Sequence, residues 1–325
     1  MFRSADCAKL GFAALLMMLA AGTAGAQSYP NHVVRIIVPF AAGGLNDTAA
    51  RLIQPYLEKA LGQTVVVENR AGATGIVGAE LVAKAAPDGH TLLMVASSYT
   101  VLPATAATMP YDSERDLTPI ALMAKNPLIF TVNAAVKAKT LGEFIALAKA
   151  SPGKFNYATP GAASQTRFVV ELWSGRAGVK MQHIPYRGGA PAVESLIAGQ
   201  TEFSALSSLV SLPQIQAGNL RALAVGSLTR YPQLPDVPTV AESGFPDFEA
   251  VQWVGLLTTA GTPKDVVERL NAEVNKAIRN PELIAKLARE GMLPGGGTAA
   301  DFRSAIATEI KNWKETARAA NIQPE

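Results

Sequence analysis

Three short stretches carry residue types that could grip an anion. The first is Pro39-Phe40-Ala41-Ala42-Gly43-Gly44-Leu45-Asn46-Asp47, which follows an apolar run and opens into a helical pattern. Its glycines let backbone N–H groups approach a ligand, and a helix start adds partial positive charge, so together they favour a carboxylate or phosphate. Asn46 or Asp47 would equally serve as an ordinary N-cap. The glycine spacing fits neither a P-loop nor a dinucleotide fingerprint. The second stretch is Thr159-Pro160-Gly161-Ala162-Ala163-Ser164-Gln165, again after a strand pattern and before a helical one. It supplies hydroxyls and free backbone donors, and a proline-glycine turn capped by Ser164 is the plainer alternative. The third, Ser97-Ser98-Tyr99, ends an apolar run with two hydroxyls and an aromatic wall. It reads equally well as a polar strand end.

Catalytic constellations are poorly represented. His32, His90 and His183 are far apart in the sequence, and none has a metal-ligand neighbour at i+3 or i+4. Each reads as structural, and neither a metal nor a cofactor is expected. Ser164 follows Gly161-Ala162-Ala163 and precedes Gln165, so it is not the serine of a G-x-S-x-G elbow. Asp47 is the one carboxylate placed to act as a base, and capping explains it better. Asp88-Gly89 after Pro87 is a turn, and Arg187 fits the surface as well as it fits a cleft. The expectation is binding without bond-making, and no enzyme.

The composition narrows the setting. Arg3 and Lys9 precede the apolar run 11–20, and small residues lead to Ala24-Gly25-Ala26, the pattern of a secretory signal peptide over residues 1–26. Cys7, the single cysteine, lies ahead of that run. Cleavage after Ala26 would leave no thiol, disulfide or zinc–cysteine chemistry and no lipid anchor. Losing Arg3, Lys9 and Asp6 takes the formal charge from +3 to +2. Without a basic cluster, nucleic-acid binding has little support.

The elements that must position the candidate residues alternate. Apolar runs at 33–38, 64–67 and 91–95 read as buried strands, separated by helical patterns at 48–61, with Pro55 as a kink, and at 76–86. Strand-helix-strand-helix-strand implies a parallel sheet. A second α/β set follows, with strands at 128–132, 155–158, 181–184, 202–206 and 221–225 and helices at 141–149, 164–176 and 190–198. Four prolines in 231–248 mark a long surface connection. A strand at 254–258 and terminal helices, one capped by Asn280 ahead of Pro281, are expected to pack back on the first lobe. The fold class is α/β with two lobes: residues 27–127 and 251–325 form lobe one and 128–250 form lobe two. Two crossing strands form the hinge, and ligands of such sheets bind beyond the carboxyl ends of the strands.

An ordered series of motifs then resembles a known family. It runs through Val38-Pro39-Phe40 with Gly43-Gly44, Asp47-x-x-Ala50-Arg51, Val67-Glu68-Asn69-Arg70-x-Gly72-Ala73, Pro87-Asp88-Gly89 and Pro110-Tyr111-Asp112. It continues through His183-Ile184-Pro185-Tyr186-Arg187-Gly188, Leu220-Arg221-Ala222-Leu223-Ala224-Val225 and Leu234-Pro235-Asp236-Val237-Pro238-Thr239. Over essentially the whole mature chain this resembles the Bug-type periplasmic receptors of tripartite tricarboxylate transporters. The resemblance implies a type II-like periplasmic binding protein, a Venus flytrap that closes on a small carboxylate and delivers it to the membrane components of the transporter. It implies contacts from Phe40, Ala41, Ala42, Gly43, Gly44, Asn46 and Asp47, completed by Ser97, Ser98 and the Thr159, Gly161, Ala162, Ala163, Ser164, Gln165 loop. Arg167 stands where the family pattern usually has histidine, and could pair with a second ligand carboxylate or with Glu171 one turn along. The segment 204–207, ending in Ser207, lacks an aspartate common in relatives, which disfavours an amino acid. An organic acid, aliphatic or aromatic, is expected, held by a monomer through lobe closure. A co-receptor for a sensor kinase and a periplasmic enzyme are the competing readings.

Overall fold

The computed structural model describes residues 29–162 and 164–322. The expected signal peptide, Cys7 and the candidate Ala163 lie outside them. The first strand, β1 (Val34–Val38), is apolar at every position but Arg35, as a strand covered on both faces must be. It pairs in parallel with β2 (Val65–Asn69) on one side and β3 (Thr91–Ala96) on the other. The crossovers are α1 (Leu45–Leu61) and α2 (Ile76–Ala83). Helix α1 buries Ala49, Ala50, Ile53, Leu57 and Leu61 along one face. Gly62 ends it at φ +66°, the left-handed C-cap for which glycine carries no Cβ penalty. The helix runs unbroken through Pro55, whose ring is exposed.

A short helix, α3 (Ser98–Thr105), leads to β4 (Leu117–Asn133), and this strand belongs to both lobes. The lobe-two elements follow in order: α4 (Leu141–Ala150), β5 (Asn156–Thr159), α5 (Gln165–Ala177), β6 (Gln182–Pro185), α6 (Gly189–Ile197), β7 (Phe203–Ser207), α7 (Ser208–Gln216) and β8 (Leu220–Val225). The chain returns through β9 (Val251–Thr259) and ends in α8 (Lys264–Ala277), α9 (Pro281–Arg289), β10 (Leu293–Pro294) and α10 (Ala299–Ala319). From Leu117 to Pro127, β4 pairs antiparallel with β9, and from Leu128 onward it pairs with β7 and β8. Lobe one therefore has strand order β2-β1-β3-β9-β4, and lobe two continues from β4 through β7 and β5 to β6.

The crossing is tightly bonded. Leu128 N–H donates to Ala250 O (3.0 Å), Gly226 N–H to Leu128 O (2.8 Å) and Ala250 N–H to Gly226 O (2.7 Å). A Cβ on Gly226 would lie 2.2 Å from Ala250 O. Gly226→Ala is therefore expected to destabilise the protein by about 1–3 kcal/mol, the usual range for overpacking. Thermal or urea melts measure this, and an unchanged midpoint would mean that the crossing has slack.

Helices α8 and α9 pack Val266, Leu270, Val274, Leu283 and Leu287 into the lobe-one core with α1. Asn280 accepts from Glu282 N–H as the cap, as its place before Pro281 predicts. Helix α10, opened by a Thr298/Asp301 capping box, divides its apolar face. Phe302, Ile306 and Ile310 join Val95, Trp253 and Leu257, whereas Trp313 and Ala317 join the lobe-two core around Phe130, Phe168 and Trp173. The proline-rich segment 231–248 forms no helix and only an isolated bridge, Val225 to Thr239. It is more than a surface strap, because Tyr231, Val240 and Phe248 are buried in it.

Candidate functional site

In lobe one, Gly44 occupies the N-cap position of α1 and no side chain caps the helix. Gly43 sits at φ +84°, where a side chain would be strained. Asp47 turns back to accept Gly43 N–H (2.9 Å) and Asn69 Nδ2 (3.0 Å), and it pairs with Arg51 (3.0 Å). The hydrogen bond from Arg51, reinforced by those from Gly43 and Asn69, pushes its carboxyl down to about 2. Asp47 is thus ionised at neutral pH and already accepts from Gly43, Asn69 and Arg51, which makes it a weak base. Asn46 is buried and donates to Met94 O (3.0 Å), tying the start of α1 to β3. Neither residue is the N-cap that sequence spacing allowed. The first-turn N–H groups have no acceptor inside the helix; its first bond is Thr48 N–H to Gly44 O, at 2.9 Å. Ala41 to Gly44 are exposed, so this helix end faces solvent.

Two supports of this loop are not evident from sequence. Asn69 Nδ2 also donates to Phe40 O (3.1 Å), and Gly75 lies so close to Phe40 that a Cβ there would be 3.1 Å from the ring. Asn69 ends β2 on the same sheet edge, which is the signal that could have marked it. The space behind Phe40, reaching Ser98, Tyr99 and Tyr111, is about 10 Å³, room for no more than a water.

In lobe two, Ser164 holds the N-cap position of α5, yet its hydroxyl donates to Gly161 O (2.7 Å) and meets Thr166 Oγ1 (2.9 Å). This helix end, too, is without a side-chain cap. Thr159 is buried and donates to Gly161 O (2.9 Å), with His183 Nε2 at 2.7 Å. Since the threonine has one proton and Gly161 takes it, the imidazole N–H donates to Thr159. Burial, then the charge of Arg167, pushes His183 down to about 4, so the ring is neutral at pH 7.

Arg167 donates to Ala162 O (2.9 Å), and its Nε is buried without a partner. The pair with Glu171 suggested by helical spacing is not formed; Glu171 accepts the Tyr157 hydroxyl at 2.5 Å. A guanidinium with unspent donors therefore sits in the first turn of α5. Ser97 and Gln165 spend their side chains on each other: Ser97 Oγ donates to Gln165 Oε1 (2.7 Å), and Gln165 Nε2 donates to Val251 O (3.0 Å). This contact brings the start of α5 against the carboxyl end of β3. Ser98 and Ser207 are half-buried at the starts of α3 and α7. Among the described residues no hydrogen bond joins the Phe40–Asp47 loop to the Thr159–Gln165 loop.

A family model described as the tripartite tricarboxylate transporter family receptor matches residues 49–322. Protein BugT of Bordetella pertussis is 36% identical over 300 residues, covering 92% of each chain. Two solved structures from Rhodopseudomonas palustris are similar. One, Rpa4515 with adipate, is 32% identical with a TM-score of 0.77, covering 91% of this chain and all of that one. The other, MatC with bound malate, is 31% identical with a TM-score of 0.72, covering 89% of this chain and 99% of that one.

Proposed function

We propose a function that proceeds from one fact: this chain belongs to the tripartite tricarboxylate transporter receptor family. Its fold is that of periplasmic solute-binding proteins, which are not enzymes. The protein captures a small organic carboxylate between its lobes in the periplasm, after export directed by residues 1–26, and hands it to the membrane components of a tripartite tricarboxylate transporter.

The observation that carries this reading is that a glycine-bearing turn in each lobe opens, at the carboxyl end of a strand, into a helix N-terminus without a side-chain cap. Each offers backbone N–H groups and positive potential to an anion. The lobes divide at 127/128 and 250/251, where β4 exchanges β9 for β7 and β8, and they close about that crossing. A ligand held by both helix ends is bound fully only in the closed form, so it shifts the open–closed equilibrium by its differential affinity. Arg167 receives a second carboxylate, which favours dicarboxylates of the size of adipate and malate, the ligands of the two similar structures.

Thermal-shift screening of the mature protein against mono-, di- and tricarboxylates and aromatic acids tests this. At a hundredfold excess over Kd a ligand adds about 3 kcal/mol, a rise of roughly 5–10 °C. The expected result is a selective rise with dicarboxylates, the acid recovered unchanged, and loss of the preference over monocarboxylates in Arg167→Gln. Conversion of the acid would establish an enzyme, and no rise with any carboxylate would remove the proposed ligand class.

A further inference from the structure

At the edge of lobe one opposite the binding loops, His32 precedes β1 and His90 precedes β3. Because β1 and β3 are parallel with Arg35 opposite Thr91, the two histidines arrive side by side. Their rings stack at 3.6 Å between centroids, 10° from parallel. Sequence separation had made them unrelated structural residues. Asp88 completes the group, and one ligand atom from each of the three residues lies within 4.8 Å of the others. We propose that His32, Asp88 and His90 form a binding site for a borderline divalent cation of the Zn²⁺ class, separate from the carboxylate cleft.

Two imidazoles and one carboxylate suit Zn²⁺ and its neighbours and do not suit Mg²⁺ or Ca²⁺, which take oxygen donors. Three ligands of a tetrahedral zinc lie roughly 3.4 Å apart. Because imidazole lone pairs lie in the ring plane, binding must also swing the exposed His32 ring out of its stack on His90 so that both nitrogens point at one ion. His90 is 6% exposed, and its Nδ1 is buried without a hydrogen-bond partner although Asp88 Oδ1 is 3.3 Å away. An orphaned nitrogen beside a carboxylate is costly unless something fills the gap. His32 has the tautomer that ligation needs: its Nδ1 contacts Asn31 Oδ1 at 2.5 Å, and since that oxygen only accepts, the ring proton lies on Nδ1 and Nε2 keeps its lone pair. Asp88 Oδ1 accepts His90 N–H (2.9 Å), fixing the carboxylate on its turn. Tyr29 closes the other side, donating to Gly89 O (2.8 Å) and contacting Arg269 through its carbonyl. Ligation through His90 Nδ1 places that ring's proton on Nε2, which gives up the long 3.3 Å bond from Asn31 N–H. The exposed side of His32 and Asp88 leaves the fourth position to water.

Calorimetric titration of the tag-free mature protein, first dialysed against chelator, tests the site with Zn²⁺ and Mg²⁺. One Zn²⁺ site and no Mg²⁺ binding are expected, with the imidazole resonances of His32 and His90 shifting and that of His183 unmoved. His32→Ala and Asp88→Asn should each weaken Zn²⁺ at least ~10-fold. Both alter exposed side chains, so their melting in chelator should match the parent. Absence of Zn²⁺ binding, equal binding of Mg²⁺, or affinity unchanged in both variants would overturn the proposal.

Discussion

Gly44→Asp is expected to weaken carboxylate binding about 100-fold or more while leaving the fold as stable as before. Gly44 has φ −85° and ψ 174°, a conformation open to any residue, and a Cβ there would meet only Ala41 O at 3.7 Å. Aspartate is among the best N-cap residues, so the new side chain would accept the free N–H groups of α1 and add a few tenths of a kcal/mol. The same act would fill the proposed anion site with a fixed negative charge. A 100-fold loss corresponds to about 3 kcal/mol of binding. Gly44→Ser supplies the cap without the charge and should lose much less. Calorimetry with a dicarboxylate that binds the parent, beside thermal melts, reads both effects. Undiminished affinity in Gly44→Asp would show that the ligand does not use this helix end.

The second large effect concerns stability. Glu309, on α10, is half-buried between the lobes' shared elements, its Oε1 accepting Trp253 Nε1 (2.9 Å) and its Oε2 2.7 Å from Thr100 Oγ1. Thr100 also donates to Ser97 O (2.8 Å) and accepts from Trp313 Nε1 (3.2 Å). The threonine has a single proton, so if Ser97 receives it, Glu309 must be the donor and therefore protonated. Burial favours the same form, pushing the carboxyl up to about 7. An acid whose folded value lies above its unfolded 4.5 leaves the native state holding more protons between those values, so stability falls as pH rises through that window. The loss is about 3 kcal/mol. Glu309→Gln mimics the protonated form, with its amide donating to Thr100, and should remove the decline between pH 5 and 8. His183 acts oppositely: its folded value of about 4 lies below the usual 6.5, so stability falls as pH drops from 6.5 to 4. Urea melts of parent and variant across that range separate the two, and parallel profiles would show that Glu309 is already ionised in the fold.

Sequence pattern revealed the strands whose apolar runs are unbroken, β1 and β3 above all, and the helices with one continuous apolar face, α1 and α8. The first half of β4 was illegible because Pro119, Lys125 and Pro127 interrupt it. In the structure β4 takes up irregularities between Pro119 and Ala121 and between Leu122 and Ala124, so its pattern of period two is broken. Helices α3 and α7 each contain a proline, Pro103 and Pro213, and are short, leaving little periodicity to read. At the site, the two glycine-bearing turns were visible as strand-to-helix junctions, since that depends on local order. What Asn46, Asp47, Ser97 and Gln165 do with their side chains was not, because Met94, Asn69 and Val251 reach them through the sheet and across the hinge. The meeting of His32 with His90 likewise depends on the register of β1 against β3.

The position of β9 has a consequence for the order in which the protein assembles. This strand, residues 251–259, lies between β3 and β4 in the middle of the lobe-one sheet. A chain delivered amino end first therefore presents β1, β2 and β3 long before the strand that joins them to β4 exists. The lobe-two elements, by contrast, are contiguous from Leu128 to Val225 and need no later segment to pair. Non-local pairing waits on loop closure, so the part of the molecule made second has the shorter route to its strand pairing, although Trp313 and Ala317 of α10 complete its core only later. The part made first stays open, its central strand missing, until four-fifths of the chain has appeared. An open sheet of that kind exposes unpaired strand edges, the surface that chaperones hold.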